Sequence, residues 1–352
     1  MSEPAVTWPR RAGTPDLLKG IAVILMIQVH LMEQMATPEL YSGPVGRLSL
    51  FLGGPFCAPV FLAVMGFYLA RPGKTTAYFF RRGAVLFLGG IVLNGGRSLH
   101  LLFLVATGRY QLDPLPYLLG ADILSLAGLS LIFTGIFRKL FRSHPLPWIV
   151  LALTLPVAMA FLPQPRLPFG AMEYITAFLW SALPWSFFPV IPWYSYVLTG
   201  YIFRMLLDHH PLPPVRSFRY KYVPFIPVWA GLLITLPWAV PIAADLGTAT
   251  GYYHHGFLFF SWTLLFLGSW TAVVHVAGSR SDRNPLTAFL RWAGQNVTVL
   301  YVIQWLIIGN LTPLLYRSTG LTMLSVWFFV VTILTALGGW IYNRFRLVIS
   351  RK

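Results

Sequence analysis

The chain of 352 residues is poor in charge, poor in acidic residues and almost free of cysteine. Charged residues make up 10% of it, with 10 Asp and Glu against 26 Lys and Arg. Because soluble domains carry about 25% charged residues, this composition excludes an ordinary soluble globular protein. The one cysteine, Cys57, excludes a disulfide framework and a cysteine-based metal site within a single chain.

Apolar residues take the place of the missing charge. Hydrophobic residues make up 57% of the chain, aromatic residues make up 16%, and the mean hydropathy is +0.67. So many aromatic side chains require burial, which excludes a disordered chain. Continuous apolar runs of about 20 residues are typical of transmembrane helices, whereas membrane barrel strands alternate over about 10 residues. We therefore predict an all-α polytopic membrane protein in which residues 1–352 form one domain.

Ten apolar segments predict about ten transmembrane helices. They run over residues 18–36, 48–70, 83–105, 118–137, 147–162, 187–207, 223–243, 257–277, 293–312 and 321–342. Between the fifth and sixth segments, residues 172–183 are apolar but short, which favours an interfacial or re-entrant segment. The first segment is not expected to be a signal peptide, because it lacks a small-residue cleavage site and many spans follow it.

Lys and Arg are concentrated at both termini and in alternate connections between these segments. These regions carry a net charge of +17, against −1 for the remaining connections and segments. Because cytoplasmic loops carry such an excess, we predict that both termini are cytoplasmic and that the protein resides in a bacterial inner membrane. The same charges favour contact with anionic membrane lipids. Nucleic-acid binding is excluded, since short loops between spans form no continuous basic surface.

The first apolar segment carries ionisable side chains along one helix face. Lys19 and His30 are eleven residues apart, so they share a face at a distance of about 16 Å, and Asp16 and Glu33 lie near the same line. Ionisable groups at membrane depth are costly and are typical of functional sites. Simpler interpretations exist for three of them. Lys19 can extend to the interface, His30 can bond to a neighbouring helix, and Glu33 can lie in the outer interface.

Three polar residues on later segments are further candidates. Arg97 lies in the outer half of the third segment, where an arginine needs an acid or an anionic ligand. Asp122 opens the fourth segment, where it can equally cap the helix. Gln304 lies at mid-depth in the ninth segment, where an interhelical hydrogen bond is the simpler role.

These residue types suit two kinds of chemistry. A neutral histidine can take a proton from a hydroxyl or amine that attacks an acyl carbonyl, or can carry the acyl group itself. A carboxylate fixes its tautomer, and cations stabilise an oxyanion or bind phosphates. Histidine with a carboxylate equally suits the proton relay of a transporter. The residue types alone leave both alternatives open.

Five short stretches resemble a known group of membrane enzymes. Residues 16–22 read Asp-Leu-Leu-Lys-Gly-Ile-Ala and are followed by His30, which resembles the D-x-x-R-G-x-A start of the first helix in the transmembrane acyltransferase superfamily. This group includes the membrane acyltransferase-three and heparan-α-glucosaminide N-acetyltransferase-like proteins. The other similar stretches, which follow in the same order, are residues 58–67, 78–83, 122–124 and 294–304.

The resemblance implies an acyltransferase that uses acyl-CoA, in the simplest case acetyl-CoA, from the cytoplasm. It implies an extracytoplasmic glycan or a lipid-linked molecule as the acceptor, and it implies no metal. His30 would be the catalytic base or acyl carrier. The other expected site residues are Glu33 or Asp122 to orient His30, Lys19, Arg81 and Arg82 to bind the donor, and Arg97 and Gln304 to bind the acceptor.

Two positions depart from the pattern of the group. Lys19 stands where the group has Arg, which keeps the charge but loses the planar fork of the guanidinium. Met65 stands where the group has Ser before Gly66. These departures leave an inactive member of the group as one alternative. The His30 and Glu33 side chains leave a proton-coupled exporter of a glycan or lipid as another, and the oligomeric state is open.

Overall fold

The computed structural model describes residues 13–141, 144–163, 170–209, 226–245, 251–278 and 284–349, which form fifteen α-helices and one 3₁₀ turn. The helices are α1 (Gly13–Met35), α2 (Pro38–Ser42), α3 (Pro44–Leu69), α4 (Thr76–Arg97), α5 (Leu99–Ala106), α6 (Leu115–Leu119), α7 (Ile123–Phe141), α8 (Pro145–Ala158), α9 (Ala171–Leu179), α10 (Val190–His209), α11 (Ile226–Ala244), α12 (Phe257–Gly278), α13 (Pro285–Gln295), α14 (Val297–Leu315) and α15 (Leu321–Ile349). The 3₁₀ turn, Tyr252–His254, precedes α12.

Eight of these helices are long and apolar enough to cross a membrane: α1, α3, α4, α7, α11, α12, α14 and α15. The prediction of an all-α polytopic membrane protein is therefore confirmed. The two other predicted segments correspond to α8, which has 14 residues, and α10, whose helical geometry is interrupted at Ile191. The total of ten crossings and the cytoplasmic placement of the termini stay predictions.

Three predicted segments are divided in the structure. The predicted segment 118–137 begins at the end of α6 and continues in α7 after the non-helical residues 120–122. The predicted segment 83–105 ends as α4 at Arg97, because Ser98 leaves the helical conformation before α5 begins. The predicted segment 293–312 straddles the break at Asn296 between α13 and α14. The short stretch 172–183 forms α9 and an irregular turn after it.

Helix α1 lies in the interior of the bundle and packs against α3, α12, α13, α14 and α15. Its buried residues occur on all sides, from Asp16 to Met35. This surrounding contact explains why the first segment is apolar around most of its circumference. The polar stripe predicted on this helix therefore lies among the other helices of the bundle.

Glycines set the closest approach between α1 and α13. A Cβ atom added to Gly294 would lie 1.8 Å from the backbone oxygen of Asp16, and one added to Gly20 would lie 1.9 Å from that of Leu290. Both distances are far below any van der Waals contact, so the two backbones touch where side chains are absent. The first and the last stretch of the family resemblance thus pack directly on each other.

We expect Gly294→Ala to destabilise the protein by about 1–3 kcal/mol, because the new methyl group meets backbone that cannot rotate away. The thermal midpoint of the purified protein in detergent measures this effect. Gly231→Ala on α11 is the matched control, since a Cβ atom there has no neighbour within 4 Å. The control should be neutral or slightly stabilising, because alanine is the better helix former. Equal midpoints for the two variants would contradict the close crossing.

Helices α4 and α7 form an antiparallel pair that connects the two ends of the bundle. Gly83 and Gly128 meet at their crossing, where a Cβ atom on Gly128 would lie 2.6 Å from the backbone oxygen of Gly83. At one end the pair brings Arg97 beside Asp122. At the other end it brings Lys74 beside Arg138. The first end holds the candidate catalytic residues, and the second is the end predicted to face the cytoplasm.

Candidate functional site

Arg97 and Asp122 form an ion pair inside the protein. Arg97 Nη1 lies 2.7 Å from Asp122 Oδ2, and the two side chains are only 14% and 6% exposed. Asp122 Oδ1 also accepts hydrogen bonds from the Tyr301 hydroxyl at 2.9 Å and from the Ile123 amide at 2.6 Å. Asp122 therefore provides the counter-charge for the arginine, and its side-chain contact at the start of α7 is to the first amide of the helix.

Trp305 joins this ion pair to His30. The centroids of the His30 and Trp305 rings are 4.1 Å apart, with an interplanar angle of 36°. The Arg97 guanidinium lies 4.6 Å from the centre of the Trp305 ring system. Aromatic contact and a cation over the ring both favour this arrangement. Residues on α1, α4, α7 and α14 thus meet at one place, which we call the outer cluster: His30, Arg97, Asp122, Tyr301 and Trp305.

One ring nitrogen of His30 makes no hydrogen bond with the other described residues of this cluster. Its Nδ1 atom has no hydrogen-bond partner in the described part of the chain, although the atom is buried. The residue as a whole remains partly accessible. Leaving a buried ring nitrogen without a partner costs free energy. The Nδ1 atom is thus not committed to a hydrogen bond within the described part of the chain.

Glu33 lies one turn further along α1 and contacts a different group. The Tyr253 hydroxyl donates to Glu33 Oε1 at 3.4 Å. The turn that carries Tyr253 is fixed by His255, whose Nδ1 lies 2.7 Å from the Tyr252 carbonyl oxygen and whose Nε2 lies 2.9 Å from the Tyr196 hydroxyl. Burial lowers the pKa of His255 to about 4, so this ring is neutral at pH 7. Glu33 thus faces a rigid turn.

Gln304 is fully buried on α14, three residues after Tyr301. Neither atom of its side-chain amide has a hydrogen-bond partner among the residues that the structure describes. The expected interhelical hydrogen bond is therefore not formed there. Leaving a buried amide unpaired costs about 1–3 kcal/mol, so this amide is suited to bind a polar group that enters the interior.

The three residues predicted to bind the donor have different surroundings. Lys19 is buried and lies 3.0 Å from Asp16, whose Oδ2 accepts a hydrogen bond from Gln295 Nε2 at 3.2 Å. Arg81 and Arg82 are exposed on the first turns of α4. The structure thus brings His30, Arg97 and Asp122 together, places Gln304 on the same helix as Trp305, and leaves Arg81 and Arg82 at the surface.

Three residues of this region were missed in the sequence: Tyr253, Tyr301 and Trp305. In a chain with 16 Tyr and 13 Trp, a single aromatic residue carries no positional signal. Tyr301 and Trp305 lie next to Gln304, which was singled out for its polarity alone. The spacing between Tyr301 and Trp305 is one helical turn, which indicates a shared face but not its partners.

With this geometry established, the chain can be compared with known families. The family model described as heparan-alpha-glucosaminide N-acetyltransferase, catalytic, matches residues 11–230. The match covers more than half of the chain. The protein belongs to this family. No curated protein matches the sequence.

Membership in the heparan-alpha-glucosaminide N-acetyltransferase family identifies the protein as an acetyltransferase-type membrane enzyme. The matched residues include His30, Lys19, Arg97 and Asp122, but Trp305 and Gln304 lie beyond the match. The family region therefore supplies the histidine and the ion pair. The part of the chain that follows it supplies the aromatic residue between them.

Proposed function

We propose that this protein transfers an acyl group, in the simplest case acetyl, from acyl-CoA to an extracytoplasmic glycan or lipid-linked acceptor. The observation that carries the proposal is the His30 ring. It is partly accessible, has an unpartnered Nδ1 atom, and lies against Trp305 in a protein of an acetyltransferase family. A general base needs such a nitrogen within reach of the attacking group.

In the proposed reaction His30 takes a proton from the amine or hydroxyl of the acceptor. The acceptor atom then forms a bond to the carbonyl carbon of the thioester, and the carbon–sulfur bond breaks. The leaving thiolate of CoA recovers the proton from the imidazolium, which returns His30 to its neutral form. Transfer through an acyl group carried on His30 is the two-step variant of the same chemistry.

The charges beside His30 support these steps in different ways. Asp122 and Arg97 both interact electrostatically with the His30 ring, and Asp122 is not hydrogen-bonded to it in the described structure. The negative charge of Asp122 would stabilise the protonated ring at a distance, whereas the positive charge of Arg97 opposes it. Glu33, one turn further along α1, is the other carboxylate proposed to orient the ring. Arg97 and the free amide of Gln304 are the groups proposed to bind the acceptor or the oxyanion that develops on the carbonyl.

The donor would reach His30 from the end of the bundle that carries Lys19. Eleven residues of α1 separate the two side chains, which corresponds to about 16 Å of helix. Lys19 contributes positive charge along the path, and the exposed pair Arg81 and Arg82 would attract the polyanionic donor to the surface. We place this surface in the cytoplasm of a bacterium, as the charge pattern predicts.

The test is a transfer assay on the purified, full-length protein in liposomes. Labelled acetyl-CoA is supplied on the Lys- and Arg-rich side, and a glucosamine-terminated glycan and a lipid-linked glycan are supplied as acceptors. We expect label on an acceptor, with release of free CoA, and no dependence on a proton gradient. Proton-driven flux of glycan without acyl-CoA would instead identify a transporter, and the absence of both activities would identify an inactive member.

A further inference from the structure

A cleft lies at the predicted cytoplasmic end of the α4–α7 pair. It has a volume of about 280 Å³ and is lined by Lys74, Thr75, Thr76, Phe79, Gly135, Arg138 and Lys139. A single water molecule occupies about 30 Å³ of liquid, so the cleft has room for a phosphate group and its surroundings. Three of the lining residues are cationic, and none of the seven is acidic.

Two of the three cations, Lys74 and Arg138, are held in place by contacts with the protein. Lys74 Nζ donates to the backbone oxygens of Tyr68 and Leu69 at the end of α3. Arg138 Nη1 donates to the Lys74 carbonyl oxygen at 3.2 Å, and its guanidinium lies 5.0 Å from the centre of the Phe79 ring. Side chains fixed by such contacts lose little further freedom when they bind a ligand.

This arrangement costs free energy without an anion. Burial, together with the positive charges of Arg71 and Arg138, lowers the pKa of Lys74 to about 8. Like charges that repel each other around a cleft would be stabilised by a polyanion between them. The cleft also includes Thr75 and Thr76 at the start of α4, where the positive end of the helix dipole favours negative charge.

We propose that this cleft binds a phosphate-bearing anion through Lys74, Arg138 and Lys139. Two sources share that chemistry: the phosphates of the acyl donor and the headgroup of an anionic lipid. The first source rests on the proposed function, whereas the second does not. The cleft residues differ from Arg81 and Arg82, which are exposed on α4 and are absent from its lining.

The proposal is tested with two probes on the purified, full-length protein. Binding of coenzyme A is measured calorimetrically in detergent at fixed salt, and retention of phosphatidylglycerol is measured by native mass spectrometry. The variants are Arg138→Gln/Lys139→Gln and the single change Lys139→Glu, which alters an exposed side chain and is the less disruptive of the two. The control is Arg344→Gln/Arg346→Gln, which removes the same charge from exposed positions of α15.

We expect the cleft variants to weaken one probe about tenfold or more, because a lost charge-assisted hydrogen bond has roughly that effect. The control should change binding less than twofold. Weaker coenzyme A binding identifies the donor as the source, and loss of the lipid alone identifies the headgroup. If both probes bind the cleft variants and the control alike, the proposal is wrong.

The outcomes also separate this proposal from the proposed function. If Arg81→Gln/Arg82→Gln weakens coenzyme A binding and neither cleft variant affects either probe, the proposal for the cleft is wrong. The proposed function is not contradicted by that result. If the wild-type protein binds no coenzyme A and transfers no acyl group, the proposed function falls. The lipid measurement then decides the cleft site by itself.

Discussion

Replacement of His30 by phenylalanine should lower the rate of acyl transfer by about 10²–10⁴-fold, which is the usual contribution of a general acid–base group. Phenylalanine keeps an aromatic ring of similar size against Trp305, where the present ring contact has a centroid distance of 4.1 Å. It has no ring nitrogen, so the change removes the chemistry and preserves the packing. The measurement is the initial rate of acetyl transfer under saturating donor.

The control variants distinguish catalysis from folding. His144→Ala removes an exposed histidine at the start of α8, beyond the opposite end of α7 from Asp122, and should leave the rate unchanged. His30→Ala removes both the nitrogen and the ring contact, so its thermal midpoint should fall below that of His30→Phe. If His30→Phe is folded and transfers acetyl at the wild-type rate, His30 has only a packing role and the mechanism must be abandoned.

Asp122→Asn should destabilise the protein by about 3–5 kcal/mol, because it leaves the buried Arg97 guanidinium without a counter-charge. For a chain of this size, we expect the thermal midpoint to fall by roughly 6–15 °C. The double change Arg97→Gln/Asp122→Asn removes both charges and should recover part of the loss. With the wild type and the single change Arg97→Gln, these variants form a double-mutant cycle. The coupling free energy from the four unfolding measurements shows how strongly the pair interacts.

An ion pair on α10 provides the matched comparison. Arg204 and Asp208 are 2.7 Å apart, as Arg97 and Asp122 are, but the Asp208 side chain is 41% exposed. Their double-mutant cycle should give a coupling free energy of at most about 1 kcal/mol.

The rate of acyl transfer tests the role assigned to Arg97 separately from its effect on stability. If the Arg97→Gln/Asp122→Asn variant recovers stability and full transfer, Arg97 does not bind the acceptor or the oxyanion, and that assignment is wrong.

The fold was largely predictable because its determinants are local in the sequence. The segment predicted at 18–36 corresponds to α1 at Gly13–Met35, since a long apolar run has few alternatives to a helix inside a membrane. The divisions at Ser98 and Asn296 were missed because the polar stretches there, residues 94–98 and 295–296, are short and have apolar residues on both sides. Hydropathy detects the length of a segment but not a local departure from helical dihedral angles.

The site was predictable only in its parts. His30 and Glu33 stood out because ionisable groups on an apolar helix are rare, and Arg97 and Asp122 for the same reason. Their meeting through Trp305 depends on how α4, α7 and α14 pack around α1, which helical periodicity does not specify. The contact between Tyr253 and Glu33 was beyond prediction, since it comes from a turn that precedes α12.

The long separation along the chain between His30 and Trp305 has a consequence for biosynthesis. A ribosome adds about 5–20 residues per second, so α14 emerges roughly 15–50 s after α1 has entered the bilayer. During that interval α1 has neither Gly294 nor Trp305 to pack against, and its ionisable face must be shielded by lipid headgroups, water or an insertion factor. Nascent chains halted before α14 should therefore be the most vulnerable to membrane quality-control proteases.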